Sequence, residues 1–184
     1  MLIKADNVSI VIFNMQLEMV PLLHEGTQLL NSCCWLADVA QTLQVPTLII
    51  EHSKLGASSQ ALKEVAGTAA YLEKTWFDCC AHESIAHALE ATGRRQVVIA
   101  GAESHVCLLQ SALGLRQLGY EVSVMADASS ARNLFDHQHA LGSLAQAGIR
   151  LLTREMFFFE CIRHSTRPDY IDLAMKYLDG RYIR

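Results

Sequence analysis

The sequence is poor in charged residues, aromatic rings and proline. Charged residues make up 18% of the 184 residues and aromatic residues 7%, and there are three prolines. Because hydrophobic residues reach 51%, the chain has the composition of a folded protein rather than a disordered one. The net charge of −4 offers no basic surface for nucleic acid or for an anionic membrane, so we expect neither as a partner.

Long apolar runs and a leader sequence are also lacking. The apolar run at 8–13 is far shorter than a membrane span, and residues 1–6 lack the apolar centre and cleavage site of a signal peptide. We therefore expect one domain over residues 1–184, located in the cytoplasm.

Spacings typical of metal and nucleotide sites are missing as well. The six cysteines contain no C-x-x-C, and the histidines at 137 and 139 fall on different faces of a helix. The glycines at 101, 119 and 148 do not form G-x-G-x-x-G. These absences predict free thiols, no metal and no cofactor.

The residues that are present alternate between strand and helix patterns. Continuous apolar runs predict strands at 8–13, 47–50, 96–101, 121–125 and 149–152. Helical spacing predicts helices at about 22–43, 84–91, 107–118, 136–147, 154–162 and 170–178. Residues 53–75 form a long, less regular connection that we expect to cover the site. The pattern predicts an α/β fold of three α/β/α layers around a mostly parallel sheet of five or six strands.

Cys107 follows the strand at 96–101 and opens a predicted helix. The carboxyl ends of parallel strands carry the ligand sites of open α/β sheets. The unpaired N–H groups and the dipole at a helix start favour a thiolate, which is the nucleophilic form. On position alone, a reactive nucleophile and a small buried hydrophobe are equally good interpretations of this residue.

Three segments resemble one known family, the isochorismatase-like cysteine hydrolases, which include nicotinamidases and carbamoylsarcosine amidohydrolases. Residues 101–107 are similar to the family's G-x-x-[TS]-x-x-C segment, and residues 74–78 are similar to its K-x-x-F-S motif, with Asp78 in the serine place. Residues 13–16 resemble a strand that ends in D-x-Q. Residues 51–56 resemble the less characterised, metal-free branch. The resemblance covers nearly the whole chain.

The resemblance implies a thioester mechanism on a C–N (amide-type) or related bond of a small, uncharged molecule. It implies that Cys107 is the nucleophile and that Lys74 positions the base or stabilises charge. It also implies a cis peptide bond at Ala102–Glu103, with the N–H groups of Glu103 and Cys107 forming an oxyanion hole. Because family members assemble, we expect a homo-oligomer, a dimer or larger.

Asn14 occupies the place of the family's general base, an aspartate. An amide forms hydrogen bonds but cannot take a proton from a thiol, an assistance worth about 10²–10⁴-fold. One possibility is a working hydrolase with another base, and a second is an impaired relative that acts as an oligomeric binding or scaffold protein. A third is a substitution introduced into an aspartate-containing parent. The candidate replacement bases are Glu18, Glu51, Glu103 and His105.

Further side chains are expected near the site. Phe13, Trp76 and Phe77 are candidates to line the crevice, and Gln16 is a candidate to orient Asn14 or to contact a helix start. His105 lies two residues before Cys107, where it either moves a proton or holds the loop by a hydrogen bond.

Overall fold

A parallel β-sheet forms the centre of the protein. The structure, a computed structural model, describes residues 1–178, so residues 179–184 of the expected domain lie outside the described residues. In the described part the strands are β1 Val8–Phe13, β2 Thr47–His52, β3 Ala70–Lys74, β4 Gln96–Ala102, β5 Glu121–Ser130 and β6 Arg150–Leu152. Their order is β3-β2-β1-β4-β5-β6, and all neighbouring pairs are parallel.

Helices cover both faces of this sheet. They are α1 Gly26–Thr42, α2 Gln60–Val65, α3 Glu83–Ala91, α4 Leu109–Gln117, α5 Leu134–Gln146, α6 Arg154–Ile162 and α7 Tyr170–Tyr177. One apolar core joins the sheet to α1, α2, α6 and α7, and a second joins it to α3, α4 and α5. The prediction of a three-layer α/β fold is therefore confirmed. In residues 1–178 no helix has the length and apolarity that a membrane crossing requires.

The connection expected to be irregular at 53–75 contains regular structure. It holds α2 and β3, and β3 is a strand in addition to the five located from the sequence. β3 pairs with β2 at the sheet edge. Leu72 is half-buried in β3 and only Lys74 is fully buried, so the strand carries no continuous apolar run to reveal it. The interpretation of this segment as an irregular connection was wrong. Backbone pairing with β2 makes residues 70–74 a strand even though they lack an apolar run.

Two predicted helix starts also differ from the structure. Residues 20–22 form a short 3₁₀ turn, and α1 begins at Gly26. Cys107 lies in a π-helical turn, Ser104–Leu108, and the α-helix that follows begins at Leu109. Apolar spacing alone does not separate such turns from the first turn of a helix.

The order of the strands determines where a site can form. Between β1 and β4 the strand order reverses direction, which is the topological switch point where open α/β sheets bind ligands. Asn14 directly follows β1, and the π-helical turn follows β4 after one residue. Both segments therefore lie at the same edge of the sheet.

Candidate active site

The side chains of Asn14, Lys74 and Cys107 meet at this edge of the sheet. The Lys74 Nζ atom donates a hydrogen bond to the Cys107 Sγ atom at 3.1 Å. The Asn14 Nδ2 atom donates to the same sulfur at 3.2 Å. The three residues come from different strand ends, so the fold assembles a group that no local segment contains. Two N–H donors converging on one sulfur stabilise negative charge on it.

The orientation of the Asn14 amide is determined by a second contact. Its Nδ2 atom also donates to the Ala102 carbonyl at 2.8 Å, an acceptor that a reversed amide oxygen could not approach. The Asn14 Oδ1 atom is buried and has no hydrogen-bond partner among the described residues. Asn14 adopts a left-handed φ of 54°, which asparagine tolerates better than most residues. The amide therefore donates to the sulfur and leaves one acceptor for an incoming molecule.

Gly101 permits the close approach of β1 and β4 at this point. It pairs with Phe13 across the two strands and adopts a φ of 102°. A Cβ atom at this position would lie 2.2 Å from the Phe13 carbonyl oxygen. Glycine is therefore required for the contact between Asn14 and Ala102.

Lys74 is a buried amine that has no carboxylate partner within residues 1–178. Its side chain is 1% exposed, and its Nζ atom also donates to the Trp76 carbonyl at 3.1 Å. None of the ion pairs found in residues 1–178 involves Lys74. A buried charge needs a counter-charge, and the sulfur of Cys107 is positioned to supply it.

Phe13 packs beneath this lysine instead of lining an open crevice. Its ring is fully buried, and Lys74 Nζ lies 5.9 Å from the ring centroid. The last residue of β1 thus lies in the core directly below the site, and its contact with a substrate stays a prediction.

The turn that carries Cys107 is held on both sides of the sulfur. The Ala102–Glu103 peptide bond is cis. The Glu103 carbonyl accepts hydrogen bonds from the N–H groups of Val106 at 3.1 Å and Leu108 at 3.2 Å. These bonds fix the backbone around the Cys107 N–H group.

Hydrogen bonds of the Ser104 side chain anchor the start of the same turn. The Ser104 Oγ atom donates to the Ser130 carbonyl at 2.9 Å and lies 2.8 Å from the Nδ1 atom of His137. Burial lowers the pKa of His137, and the nearby His24 lowers it further. Ser104 fills the [TS] place of the G-x-x-[TS]-x-x-C segment, but no sequence pattern indicated its contact with His137, 33 residues further along the chain.

Gln16 is fully buried and holds the end of β2. Its Nε2 atom donates to the carbonyls of His52 at 2.9 Å and of Gly56, and its Oε1 atom accepts from the His52 N–H group at 2.8 Å. Backbone groups therefore occupy its amide, and Gln16 forms no hydrogen bond with Asn14.

Trp76 and Phe77 lie on the surface beside the buried group. They are 66% and 50% exposed, and Phe77 stacks on His52 with a centroid separation of 6.4 Å. Burial and then the charge of Lys74 lower the pKa of His52.

His82 holds the backbone that follows Lys74. Its Nε2 atom accepts hydrogen bonds from the N–H groups of Thr75 and Trp76, and no sequence pattern indicated this role.

The four candidate bases differ in their surroundings. Glu51 accepts a hydrogen bond from the Ser58 N–H group at 2.7 Å, and Glu103 pairs with Arg132 at 2.9 Å. Glu18 is exposed. His105 differs from the three carboxylates in having a buried Nδ1 atom with no hydrogen-bond partner among the described residues.

The buried group is nearly closed to solvent. Asn14 and Cys107 are each 3% exposed. Around Cys107 the described residues place no group of three metal-ligating side chains. The Cys107 thiol is therefore shielded from solvent, and entry of a molecule requires a local opening.

Comparison with known proteins identifies a family and a set of similar folds. The model of the isochorismatase domain matches residues 8–156. The zebrafish isochorismatase domain-containing protein 1 is 33% identical over 135 residues, which cover 73% of this chain and 48% of the relative. The chain therefore spans about half the length of the curated relative.

Two solved structures share nearly the whole fold. The MAR1 ribonuclease of Caenorhabditis elegans has a TM-score of 0.89 and 26% identity, covering 95% of this chain and 91% of that one. The YcaC protein of Escherichia coli, described as an octameric hydrolase of unknown specificity, has a TM-score of 0.84 and 24% identity, covering 96% of both chains.

Proposed function

The chain belongs to the isochorismatase family, and from this premise we propose that it is a cysteine hydrolase for a C–N or related bond of a small, uncharged molecule. The observation that carries the proposal is the pair of N–H donors, from Lys74 and Asn14, that converge on the Cys107 sulfur. This arrangement supports nucleophilic attack because it stabilises the anionic form of the attacking atom.

The first step is formation of a thioester. The Cys107 sulfur attacks the carbonyl carbon, and the carbonyl electron pair moves to the oxygen. The N–H groups of Glu103 and Cys107 receive this oxyanion, a contribution that is large where water is excluded. The C–N bond then breaks, and the leaving nitrogen departs with a proton. Water afterwards attacks the thioester, releases the acid and restores the thiolate.

Proton transfer is the step for which this site is unusual. Asn14 cannot donate a proton to the leaving nitrogen or take one from water, because its amide does not titrate. Its unpartnered Oδ1 atom is suited to accept an N–H bond from a carboxamide substrate. We propose that His105 gives a proton to the leaving nitrogen and takes one back from the attacking water, because its buried Nδ1 atom has no partner among the described residues.

A second candidate function is binding without efficient turnover. Asn14 favours it, because a thiolate that attacks without general-base help accumulates as an adduct. In this version the protein is a homo-oligomeric binding protein. The octameric state described for YcaC supports assembly of this chain into a dimer or larger oligomer.

We propose a small molecule rather than a nucleic acid as the substrate. The name of the nematode relative refers to ribonuclease activity of that protein. The net charge of this chain is −4, so it lacks the excess of positive charge that supplies phosphate-backbone affinity. The closed position of Cys107 also suits a small, uncharged molecule.

An acylation experiment tests both candidates. The protein is mixed with an activated aryl acetate, and release of the aryl alcohol and the intact mass are followed together, with Cys107→Ser as the control. A hydrolase shows continuous release, whereas a binding protein shows one equivalent of release and a lasting acetyl adduct. Equal release from the wild-type and Cys107→Ser proteins, with no adduct on Cys107, contradicts the proposal.

A further inference from the structure

A second cluster of reactive side chains lies just after the segment that carries Lys74. One ligand atom each from Asp78, Cys79 and Cys80 lies within 4.8 Å of the others. Cys79 is buried, and its two neighbours are half-buried. Among residues 1–178 this is the one group of three such side chains close enough to hold a metal ion.

The backbone and the neighbouring helix hold this cluster in place. Residues 79–81 form a 3₁₀ turn that Asp78 caps by accepting the Cys80 N–H group at 2.8 Å. The Cys79 N–H group donates to the Ser111 Oγ atom of α4 at 3.0 Å. A Cβ atom on Gly114 would lie 2.6 Å from the Asp78 Oδ2 atom, so glycine makes room for the carboxylate against α4.

The other adjacent cysteine pair shows that adjacency alone does not create such a group. Cys33 and Cys34 lie within α1, where successive side chains point about 100° apart. Cys33 is fully buried and Cys34 half-buried, and no third ligand from residues 1–178 lies within range of them. The pair in the 3₁₀ turn differs because the turn and the Asp78 cap bring all three donor atoms together.

The cluster also has an approach from solvent. Cys80 lines a cavity of about 450 Å³ between α3 and α4, with Leu89, Glu90 and Tyr120 among the other lining residues. This volume lies in the range of small-molecule sites. An ion held by the cluster can therefore be reached by water, which would fill a further coordination position.

We propose that Asp78, Cys79 and Cys80 form a binding site for a thiophilic divalent cation of the Zn²⁺ or Cd²⁺ class. Both thiols release their protons to solvent as the two sulfur–metal bonds form, and the carboxylate supplies the third ligand. Bonds of about 2.3 Å in a tetrahedral site separate ligand atoms by about 3.8 Å. The three ligand atoms already lie within 4.8 Å of one another, so small side-chain rotations would bring them to this separation.

This site goes against the sequence expectation of no metal. That expectation rested on the spacings of zinc knuckles and paired histidines. Three consecutive ligands match neither pattern, and only the turn geometry reveals them. The site does not depend on the chemistry proposed for Cys107.

Cadmium titration of the Cys107→Ser protein tests the proposal, because that background removes the Cys107 thiol, which two N–H donors contact. We expect one equivalent of Cd²⁺, seen as ultraviolet sulfur-to-cadmium charge-transfer absorption. Cys80→Ser and Asp78→Asn should each weaken the affinity by more than the roughly 10–100-fold that loss of an outer-shell partner costs. Asp78→Asn keeps a capping oxygen, so it separates ligation from folding, which circular dichroism checks.

The matched control is Cys34→Ser, which removes one thiol of the other adjacent pair. It should leave the cadmium affinity unchanged. Absence of charge-transfer absorption overturns the proposal, as does binding that survives both Cys80→Ser and Asp78→Asn or that is lost in Cys34→Ser.

Discussion

Replacement of Lys74 by methionine removes the ammonium that lies 3.1 Å from the Cys107 sulfur and keeps most of the side-chain volume. At an effective dielectric constant of about 20, unit charges at this separation attract by about 5 kcal/mol, before the desolvation of both groups is subtracted. Without this attraction the thiolate form of Cys107 is less populated, but each thiolate is more nucleophilic. Roughly half of the lost interaction energy therefore appears in the activation free energy of alkylation. We therefore expect Lys74→Met to slow alkylation of Cys107 at neutral pH by about 100-fold.

The assay is iodoacetamide labelling with site-resolved mass spectrometry over time. Cys34, which is half-buried in α1, serves as an internal reference thiol in the same sample. Lys63→Met is the matched control, because it removes an exposed positive charge from α2. If Cys107 is labelled equally fast in the wild-type and Lys74→Met proteins, the ammonium does not activate the sulfur and the reasoning fails.

Three further predictions follow from the same structure. Asn14→Asp restores a titratable carboxylate beside Cys107, and we expect kcat on a small amide to rise by about 10²–10⁴-fold; an unchanged kcat would rule out proton transfer as the weak step. Gly101→Ala forces a Cβ atom to within 2.2 Å of the Phe13 oxygen at a φ of 102°, so urea unfolding should show a loss of about 3 kcal/mol or more. The control Gly142→Ala has open space within α5, and it should stabilise by about 0.5–1 kcal/mol. Burial and then His24 lower the pKa of His137, so the unfolded chain takes up this proton at a higher pH than the folded chain does. The free energy of unfolding should therefore fall as the pH drops below about 6.5, and His137→Gln should make that fall shallower; an identical pH slope would show that His137 does not contribute.

The central strands were predictable because their residues are buried on both faces. β1 and β4 are continuous apolar runs and are fully buried, so their sequences carry the signal of a parallel sheet. β3 escaped the same reasoning, since most of its side chains are exposed or half-buried at the edge. Its pairing with β2 is a long-range interaction that a single run of residues cannot reveal.

The candidate site was only partly predictable. Asn14, Lys74 and Cys107 were identified one by one through their resemblance to family motifs. Their convergence depends on the strand order and on the close approach at Gly101, which no spacing along the chain encodes. The full burial of Phe13 was not predictable, because a residue at a strand end can point to either face of the sheet.

We propose, from the two N–H contacts alone, that Lys74 and Asn14 hold the Cys107 sulfur as an anion. The ultraviolet absorbance of thiolates tests it, measured at neutral pH as the difference between the wild-type and Cys107→Ser proteins. We expect a difference equal to one thiolate, which disappears when the wild-type protein is acidified. Identical spectra of the two folded proteins at neutral pH would contradict it.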